Sequence, residues 1–235
     1  MRKIAIFVEG LTERQFVTSL IKELVGRRGL QIDYAQQFRN KVTIRHVPSA
    51  GDIEFFVLVV DCCNDEQVVT QIRDQYSSLV SAGFTSIMGL CDVYPFPRAA
   101  IDTLKAKRNA CLPTGGVTPT MHLAVMETEA WFIAEVSHFA KVVPTLTIQR
   151  IQNGGFDVTG RSPESWDHPA EILDNIYKLA RCRYLDRKGK KTRRRIQRTV
   201  DALSLDNLYV AVQHNVPALR NFIADVEGAL FCGIY

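Results

Sequence analysis

The sequence predicts an α/β fold in which a parallel sheet is flanked by helices and followed by a mostly helical C-terminal part. Strands that are apolar on both faces belong to parallel sheets covered by helices. Four runs have this character: IAIFV at 4–8, FFVLVV at 55–60, SIMGL at 86–90 and HLAVM at 122–126. Beyond Glu127 only helical patterns follow, so we place one domain at 1–143 and a helical subdomain at 144–235.

Helical patterns separate the apolar runs. The first helix is predicted to begin near Thr12, because Thr12 and Gln15 form a capping box ahead of an apolar stripe, and to end at Gly26. Asn64 leads a second helix that ends at Gly83, and the alternating run 41–47 predicts an edge strand. Further helices are predicted near 99–104, 130–136, 146–152, 169–180, 192–203, 207–213 and 217–230.

Composition places the chain among ordinary globular proteins. Of its 235 residues, 46% are hydrophobic and 23% are charged, and no apolar run approaches the roughly 20 residues of a membrane span. The six cysteines show no CxxC spacing, which favours a reduced, cytoplasmic protein. No GxGxxG follows a strand, so a dinucleotide site is not predicted.

An acid follows each apolar strand. The four are Glu9, Asp61, Asp92 and Glu127, and Glu13 and Glu129 lie close to them in the sequence. Carboxyl ends of parallel strands meet at one edge of a sheet, and clustered carboxylates suit Mg²⁺ or Mn²⁺. The alternative is that these acids are helix caps or first-turn acids. A small-molecule phosphohydrolase or receiver-type domain would also cluster acids there.

Basic residues are concentrated near the C-terminal third of the chain. From Arg181 to Arg198 there are ten Lys or Arg residues and one acid, Asp186. Such a block can bind phosphates without sequence preference, or it can be a solvated helix face. The candidate phosphate contacts are Arg187, Lys188, Lys190, Lys191, Arg193, Arg194 and Arg195, with Arg98 and Lys105 nearer Asp92.

Three segments together resemble a known module. FVEGLTERQFV at 7–17, GLCDVYPFPR at 89–98 and AVMETEAWFIAE at 124–135 resemble the TOPRIM domain, the metal-binding module of topoisomerases, bacterial primases and overcoming-lysogenization-defect nucleases. More specifically, the three segments resemble a family of small prokaryotic TOPRIM-like proteins. The resemblance implies metal-dependent phosphoryl transfer on nucleic acid, expected to be DNA, by an endonuclease or nickase of anti-phage defence. Topoisomerase activity would need a further strand-passing domain.

The resemblance also assigns roles. Glu9 and Asp92 would bind Mg²⁺ or Mn²⁺ together with Glu127 or Glu129, and Asp61 is a further candidate ligand. Glu9, Glu13 and Asp92 would serve catalysis, with Glu13 orienting the attacking water or acting as its base. Candidate partners are an ATPase or another defence protein and further copies of this chain; no membrane association is expected.

One position departs from the family pattern. Tyr94 stands where TOPRIM domains have the second aspartate of an Asp-x-Asp motif. The alternative function is therefore a non-catalytic nucleic-acid-binding or interaction subunit that keeps the TOPRIM-like fold without the metal.

Overall fold

The architecture is α/β, as predicted: a mostly parallel six-stranded sheet, flanking helices and a helical C-terminal region. The computed structural model describes residues 1–38, 41–46 and 52–232. The strands are β1 (Arg2–Val8), β2 (Leu30–Phe38), β3 (Lys41–His46), β4 (Phe55–Asp61), β5 (Ser86–Asp92) and β6 (Thr120–Ala124). The helices are α1 (Leu11–Val25), α2 (Asp65–Ser81), α3 (Ile101–Ala110), α4 (Glu129–Ala134), α5 (His138–Val142), α6 (Ile148–Asn153), α7 (Pro169–Lys178), α8 (Arg193–Ala202), α9 (Leu205–Val210) and α10 (Pro217–Phe231).

The strand order brings three predicted strands together at the centre of the sheet. The order is β3-β2-β4-β1-β5-β6, with β1 parallel to both β4 and β5, β2 parallel to β4, and β3 antiparallel to β2. In register, Val8 of β1 lies opposite Asp61 of β4 and Leu90 of β5. The carboxyl ends of these three strands therefore share one edge, where ligands bind in open α/β sheets.

Three of the four apolar runs lie wholly within strands, the fourth is a strand only over 122–124 because β6 ends at Ala124, and β2 was not predicted. Its sequence, LQIDYAQQF, places the acid Asp33 at a position where it is buried. Asp33 Oδ2 lies 2.6 Å from Nδ1 of His46 on β3, and Asp33 Oδ1 accepts from Gln31 at 3.1 Å. The edge strand predicted at 41–47 is observed as β3, and Val47 lies outside the described residues.

The predicted cap of α1 is wrong. The helix begins at Leu11 with Gly10 as its N-cap residue, and no side chain caps it. Thr12 is buried inside the first turn, because the Arg14 N–H donates to the Gly10 carbonyl at 3.0 Å and closes that turn one residue earlier. The cap predicted for α2 is confirmed, since the Asn64 side chain accepts from the Glu66 N–H.

The chain forms two compact units. The first comprises Met1–Asp92, Ala99–Leu123 and Asn221–Tyr235, and the second comprises Val93–Arg98 and Ala124–Arg220. Strands β1 to β5 belong to the first unit, and α4 to α9 belong to the second. Within the described residues, no helix combines the length and the hydropathy that crossing a membrane requires.

In the second unit, one buried aspartate fixes the segment that follows α7. Oδ1 of Asp174 accepts the N–H groups of Tyr184 and Leu185 at 2.8 and 2.9 Å, and Oδ2 pairs with Lys178 and Arg183 at 2.8 and 3.2 Å. Burial alone would raise the pKa of Asp174, but the hydrogen bonds outweigh it and hold the pKa below its ordinary value. Asp174 thus orients the chain that leads to Tyr184.

We expect Asp174→Asn to lower the free energy of unfolding by about 1–3 kcal/mol at pH 7, because a neutral amide cannot pair with both Lys178 and Arg183. The contribution of Asp174 is present above the ordinary aspartate pKa and is lost as the pH falls through the lower folded-state value, so wild type and variant should converge in acid. Urea titrations of wild type and Asp174→Asn at pH 7 and in acid measure the two free energies of unfolding. The exposed Asp206→Asn is the control, and an equal loss there would contradict the assignment.

Candidate functional site

Two acids meet at the carboxyl ends of β1 and β5 in the first unit. Glu9 follows β1 directly, and Asp92 is the last residue of β5. The main-chain N–H of Asp92 donates to Oε2 of Glu9 at 3.0 Å, and the N–H of Glu9 donates to the Leu90 carbonyl at 3.2 Å. The carboxylate of Glu9 therefore holds the end of β5 in place.

Asp61, at the end of β4, is neutralised by a cation of its own. Its Oδ2 lies 3.1 Å from Nη1 of Arg14 on α1, and its Oδ1 accepts the Cys63 N–H at 3.1 Å. A buried carboxylate that has both an ion pair and a main-chain donor is already compensated. Asp61 therefore performs a structural task at the sheet edge that was predicted to bind metal.

Glu13 is buried in the first turn of α1. Its Oε2 lies beside Gly10, at 3.5 Å from the position that a β-carbon on Gly10 would take. A negative charge at this end of a helix is favoured by the helix dipole. Among the described residues, the group of acids close enough to share a metal ion includes neither Glu13 nor Glu9 nor Asp61.

A tight turn after β6 positions the two remaining acids. Met126 has a φ of +62°, and the Glu127 N–H donates to the carbonyl of Val125 at 3.0 Å, two residues earlier, which is the hydrogen bond of a γ-turn. A positive φ is uncommon for a residue other than glycine and costs conformational energy. The chain then enters α4, whose first residue is Glu129.

Glu129 is completely buried, and its charge is compensated inside the second unit. The Tyr184 hydroxyl donates to Oε1 of Glu129 at 2.6 Å. Nζ of Lys191 lies 2.9 Å from Oε1 and 3.0 Å from Oε2 of the same carboxylate. Charge-assisted hydrogen bonds of this kind are short and strong, so Lys191 and Tyr184 fix the orientation of this carboxylate.

Glu127 is less completely compensated. Its Oε2 accepts the N–H of Ala170 in the first turn of α7 at 2.8 Å, and its Oε1 is 3.9 Å from Nζ of Lys191. Burial and, after it, the negative charge of Glu129 raise the pKa of Glu127 to about 7, although Lys191, the Ala170 N–H and His168 act in the opposite direction. Near neutral pH, Glu127 is therefore present in both protonation states.

Asp92, Glu127 and Glu129 form a buried acidic triad that can bind a metal ion. Each of the three carboxylates offers one oxygen, and these oxygens lie within 4.8 Å of one another. Asp92 is followed directly by Val93, whose N–H donates to the Ala124 carbonyl at 3.0 Å. Hard oxygen donors at this spacing suit divalent cations such as Mg²⁺, Mn²⁺ and Ca²⁺.

The two cations predicted to lie near Asp92 have other surroundings. In the second unit, Arg98 donates to the carbonyls of Glu164 and Trp166 at 3.0 and 3.2 Å and pairs with Asp167 at 3.1 Å. In the first unit, Lys105 lines a cavity of about 500 Å³ beside α3. Arg98 therefore stabilises the segment that precedes α7.

The basic block divides into structural and exposed residues. Lys191 pairs with Glu129, Arg195 donates to the Leu185 carbonyl, and Arg198 donates to the Arg183 carbonyl at 2.7 Å. The exposed side chains of the block are Arg181, Arg187, Lys188, Lys190, Arg193 and Arg194. Two of the predicted phosphate contacts, Lys191 and Arg195, thus have partners within the protein.

The sequence interpretation missed the role of Lys191 and Tyr184, although a local signal was present. Asp186 accepts the N–H groups of Lys188 and Lys190 through Oδ1, both at 2.8 Å, and Gly189 has a φ of +74°. Aspartate and glycine at these positions are typical of a reversing turn. The turn brings the segments on either side of it together at an isolated antiparallel bridge between Leu185 and Lys191, which directs Lys191 back into the protein.

We expect the raised pKa of Glu127 to make folding depend on pH. Below the ordinary glutamate pKa its contribution is fully present, and it is lost as the pH rises through the folded-state value of about 7. The loss is at most about 3 kcal/mol. Denaturation between pH 5 and 8 should therefore show a steeper decline for wild type than for Glu127→Gln. A parallel decline in both would contradict this, and the exposed Glu171→Gln is the control.

Comparisons with protein-family models, with curated proteins and with solved structures give no match to this chain.

Proposed function

We propose that the chain catalyses metal-dependent phosphoryl transfer on nucleic acid, as an endonuclease or nickase, at the triad of Asp92, Glu127 and Glu129. The observation that carries this proposal is the convergence of three carboxylate oxygens within 4.8 Å of one another. The resemblance of segments 7–17, 89–98 and 124–135 to the TOPRIM domain supports it, because two of these segments supply the triad. Anti-phage defence and an ATPase partner rest on the resemblance alone.

The donor set fits a hard divalent cation. Bound by Asp92, Glu127 and Glu129, Mg²⁺ or Mn²⁺ would stabilise the negative charge that develops on a phosphoryl group. Glu9 does not need to be a ligand for this, because its carboxylate positions Asp92 through the main-chain hydrogen bond at 3.0 Å. We therefore assign Glu9 a positioning role.

Two groups of the site can act on protons and charge. Because the pKa of Glu127 is about 7 in the absence of a metal ion, binding of the cation near neutral pH would release a proton from this carboxylate. The ammonium of Lys191, 2.9 Å from Glu129, supplies a positive charge that a phosphate oxygen can approach. Glu127 and Lys191 both belong to the second unit, whereas Glu13, the base expected from the resemblance, belongs to the first.

The non-catalytic alternative is favoured by two specific observations. Tyr94 occupies the position of the second TOPRIM aspartate and is 42% exposed, with its ring edge-on to His168 at 5.4 Å. Lys191 already compensates Glu129 without a metal. In this alternative, the lysine ion pair replaces the metal and the chain binds nucleic acid without cleaving it.

Calorimetry with Mn²⁺ and Mg²⁺ tests the proposed site. We expect Asp92→Asn and Glu129→Gln each to weaken metal binding at least tenfold, because each removes one charged ligand from a set of three. Glu171→Gln, at an exposed acid of α7, should bind as wild type does. Plasmid, linear and single-stranded substrates should be cleaved by wild type and not by Asp92→Asn.

The outcomes separate the two functions. Metal binding together with cleavage supports the nuclease, whereas nucleic-acid binding without metal binding supports the non-catalytic subunit. Melting temperatures of all variants show whether a loss reflects unfolding. Cleavage by Asp92→Asn at the wild-type rate would refute the site while leaving the reaction class open to a different set of residues.

Lys191→Met provides a second prediction. Because the ammonium competes with a metal ion for the Glu129 carboxylate, its removal should tighten Mn²⁺ binding at least tenfold. The metal-free variant should be less stable than wild type and should regain stability as metal is added, since a ligand that binds only the folded state stabilises it. Lys190→Met, on the exposed side of the same turn, is the matched control. Unchanged affinity in Lys191→Met would contradict direct competition.

A further inference from the structure

A basic groove lies in the second unit, where α5 packs on α8. Its volume is about 860 Å³. The charged and polar side chains that line it are Lys141 of α5 and, from α8, Arg193, Arg194, Gln197, Arg198 and Asp201. Four of these six carry a positive charge and one carries a negative charge, so the groove favours an anionic ligand.

The spacing of these side chains fits a linear ligand. Positions 193, 194, 197, 198 and 201 recur at intervals of three and four residues, which places them along one face of α8. A helix of ten residues is about 15 Å long, and one strand of a nucleic-acid duplex presents about four phosphates over that length. Lys141, on the other wall, extends the positive surface across the groove.

The arginines at the start of α8 do not stabilise the helix. Arg193 and Arg194 are exposed in the first turn, which contains no acid, and positive charges there oppose the helix dipole. Arg195, in the same turn, does not line the groove, and its guanidinium donates to the Leu185 carbonyl. Arg193 and Arg194 therefore present positive charge at the groove, and an anionic ligand would offset their repulsion with the helix dipole.

The surroundings of the groove also indicate which anion fits. The large apolar side chains that are exposed in the described part of the chain are Met1, Tyr94, Phe96 and Val210, and none of them lines the groove. A membrane surface would need apolar anchors, and single-strand binders need aromatic rings on which bases stack. Apart from Ala202, the residues that line the groove carry charged or amide groups, which suit a phosphate backbone.

We propose that the groove between α5 and α8 binds the phosphate backbone of a nucleic-acid duplex through Lys141, Arg193 and Arg194. This inference extends the proposed function by locating its substrate. Lys141 lies outside the basic block of the sequence, and only the fold brings it to the arginines. The contacts are to phosphates, so binding is independent of sequence and weakens with salt.

The test uses the full chain in EDTA, so that binding is measured without cleavage. Fluorescence anisotropy of a labelled DNA duplex, an RNA duplex and single-stranded DNA gives the dissociation constants between about 50 and 200 mM salt. We expect Lys141→Gln/Arg193→Gln/Arg194→Gln to weaken duplex binding at least tenfold at low salt and to reduce the salt slope by about 2–3, since each phosphate contact contributes about 0.9. Its melting temperature should equal or exceed that of wild type.

A variant with the same loss of charge serves as the control. Lys22→Gln/Arg73→Gln/Lys107→Gln removes three exposed cations from α1, α2 and α3 of the first unit and should bind the duplex within about twofold of wild type. The inference is overturned if the control loses as much affinity as the groove variant, or if the groove variant binds like wild type. Preference for single strands, or groove-dependent binding to anionic vesicles without duplex binding, also overturns it.

The proposed function is tested separately from the groove. Groove-dependent duplex binding without metal binding or cleavage would refute the nuclease and keep the groove. If metal binding and cleavage are unaffected in the groove variant, the nuclease is supported and the role of the groove is refuted.

Discussion

Glu129 is a carboxylate with no access to water, and the structure around it is organised by the need to compensate its charge. Tyr184 and Lys191 perform this task, and both come from the segment after α7. Removing one partner of such a buried pair typically costs about 3–5 kcal/mol, which exceeds what most single contacts contribute. The conformation of residues 184–191 and the orientation of Glu129 are therefore determined together.

The charges of the remaining acids are compensated in different ways. Asp61 has its own cation, Arg14, and Glu9 accepts a main-chain N–H. The charge of Glu127 is only partly compensated, so burial and the neighbouring charge of Glu129 raise its pKa. The incompletely compensated Glu127 therefore retains affinity for a proton near neutral pH.

The sequence predicts the parts of the fold that depend on local pattern. The central strands are apolar on both faces, so they are recognisable without their neighbours. β2 is not, because the partner of Asp33 is His46 on the adjacent strand and no local pattern encodes that pair. The cap residue of α1 was assigned wrongly for a different reason: the main-chain hydrogen bond from Arg14 to Gly10 closes the first turn one residue before the predicted cap.

The candidate site was predictable in part. The acids Asp92, Glu127 and Glu129 follow from the position of strand ends. The sequence alone does not distinguish Lys191 and Arg195 from the exposed arginines, because all of them belong to one basic run. Their different surroundings depend on how the chain folds around the turn at Asp186. Lys141 could not be found from charge density, since it lies 52 residues before Arg193 in the sequence.

The turn from Asp186 to Lys190 has a consequence for how the chain can change over evolution. Its closure uses main-chain groups, the Asp186 carboxylate and the freedom of Gly189, and none of the side chains of Arg187, Lys188 and Lys190. These three positions can therefore accept substitutions without disturbing the turn that presents Lys191. Surface charge and the geometry of the buried ion pair are under separate control, so selection can adjust one while preserving the other.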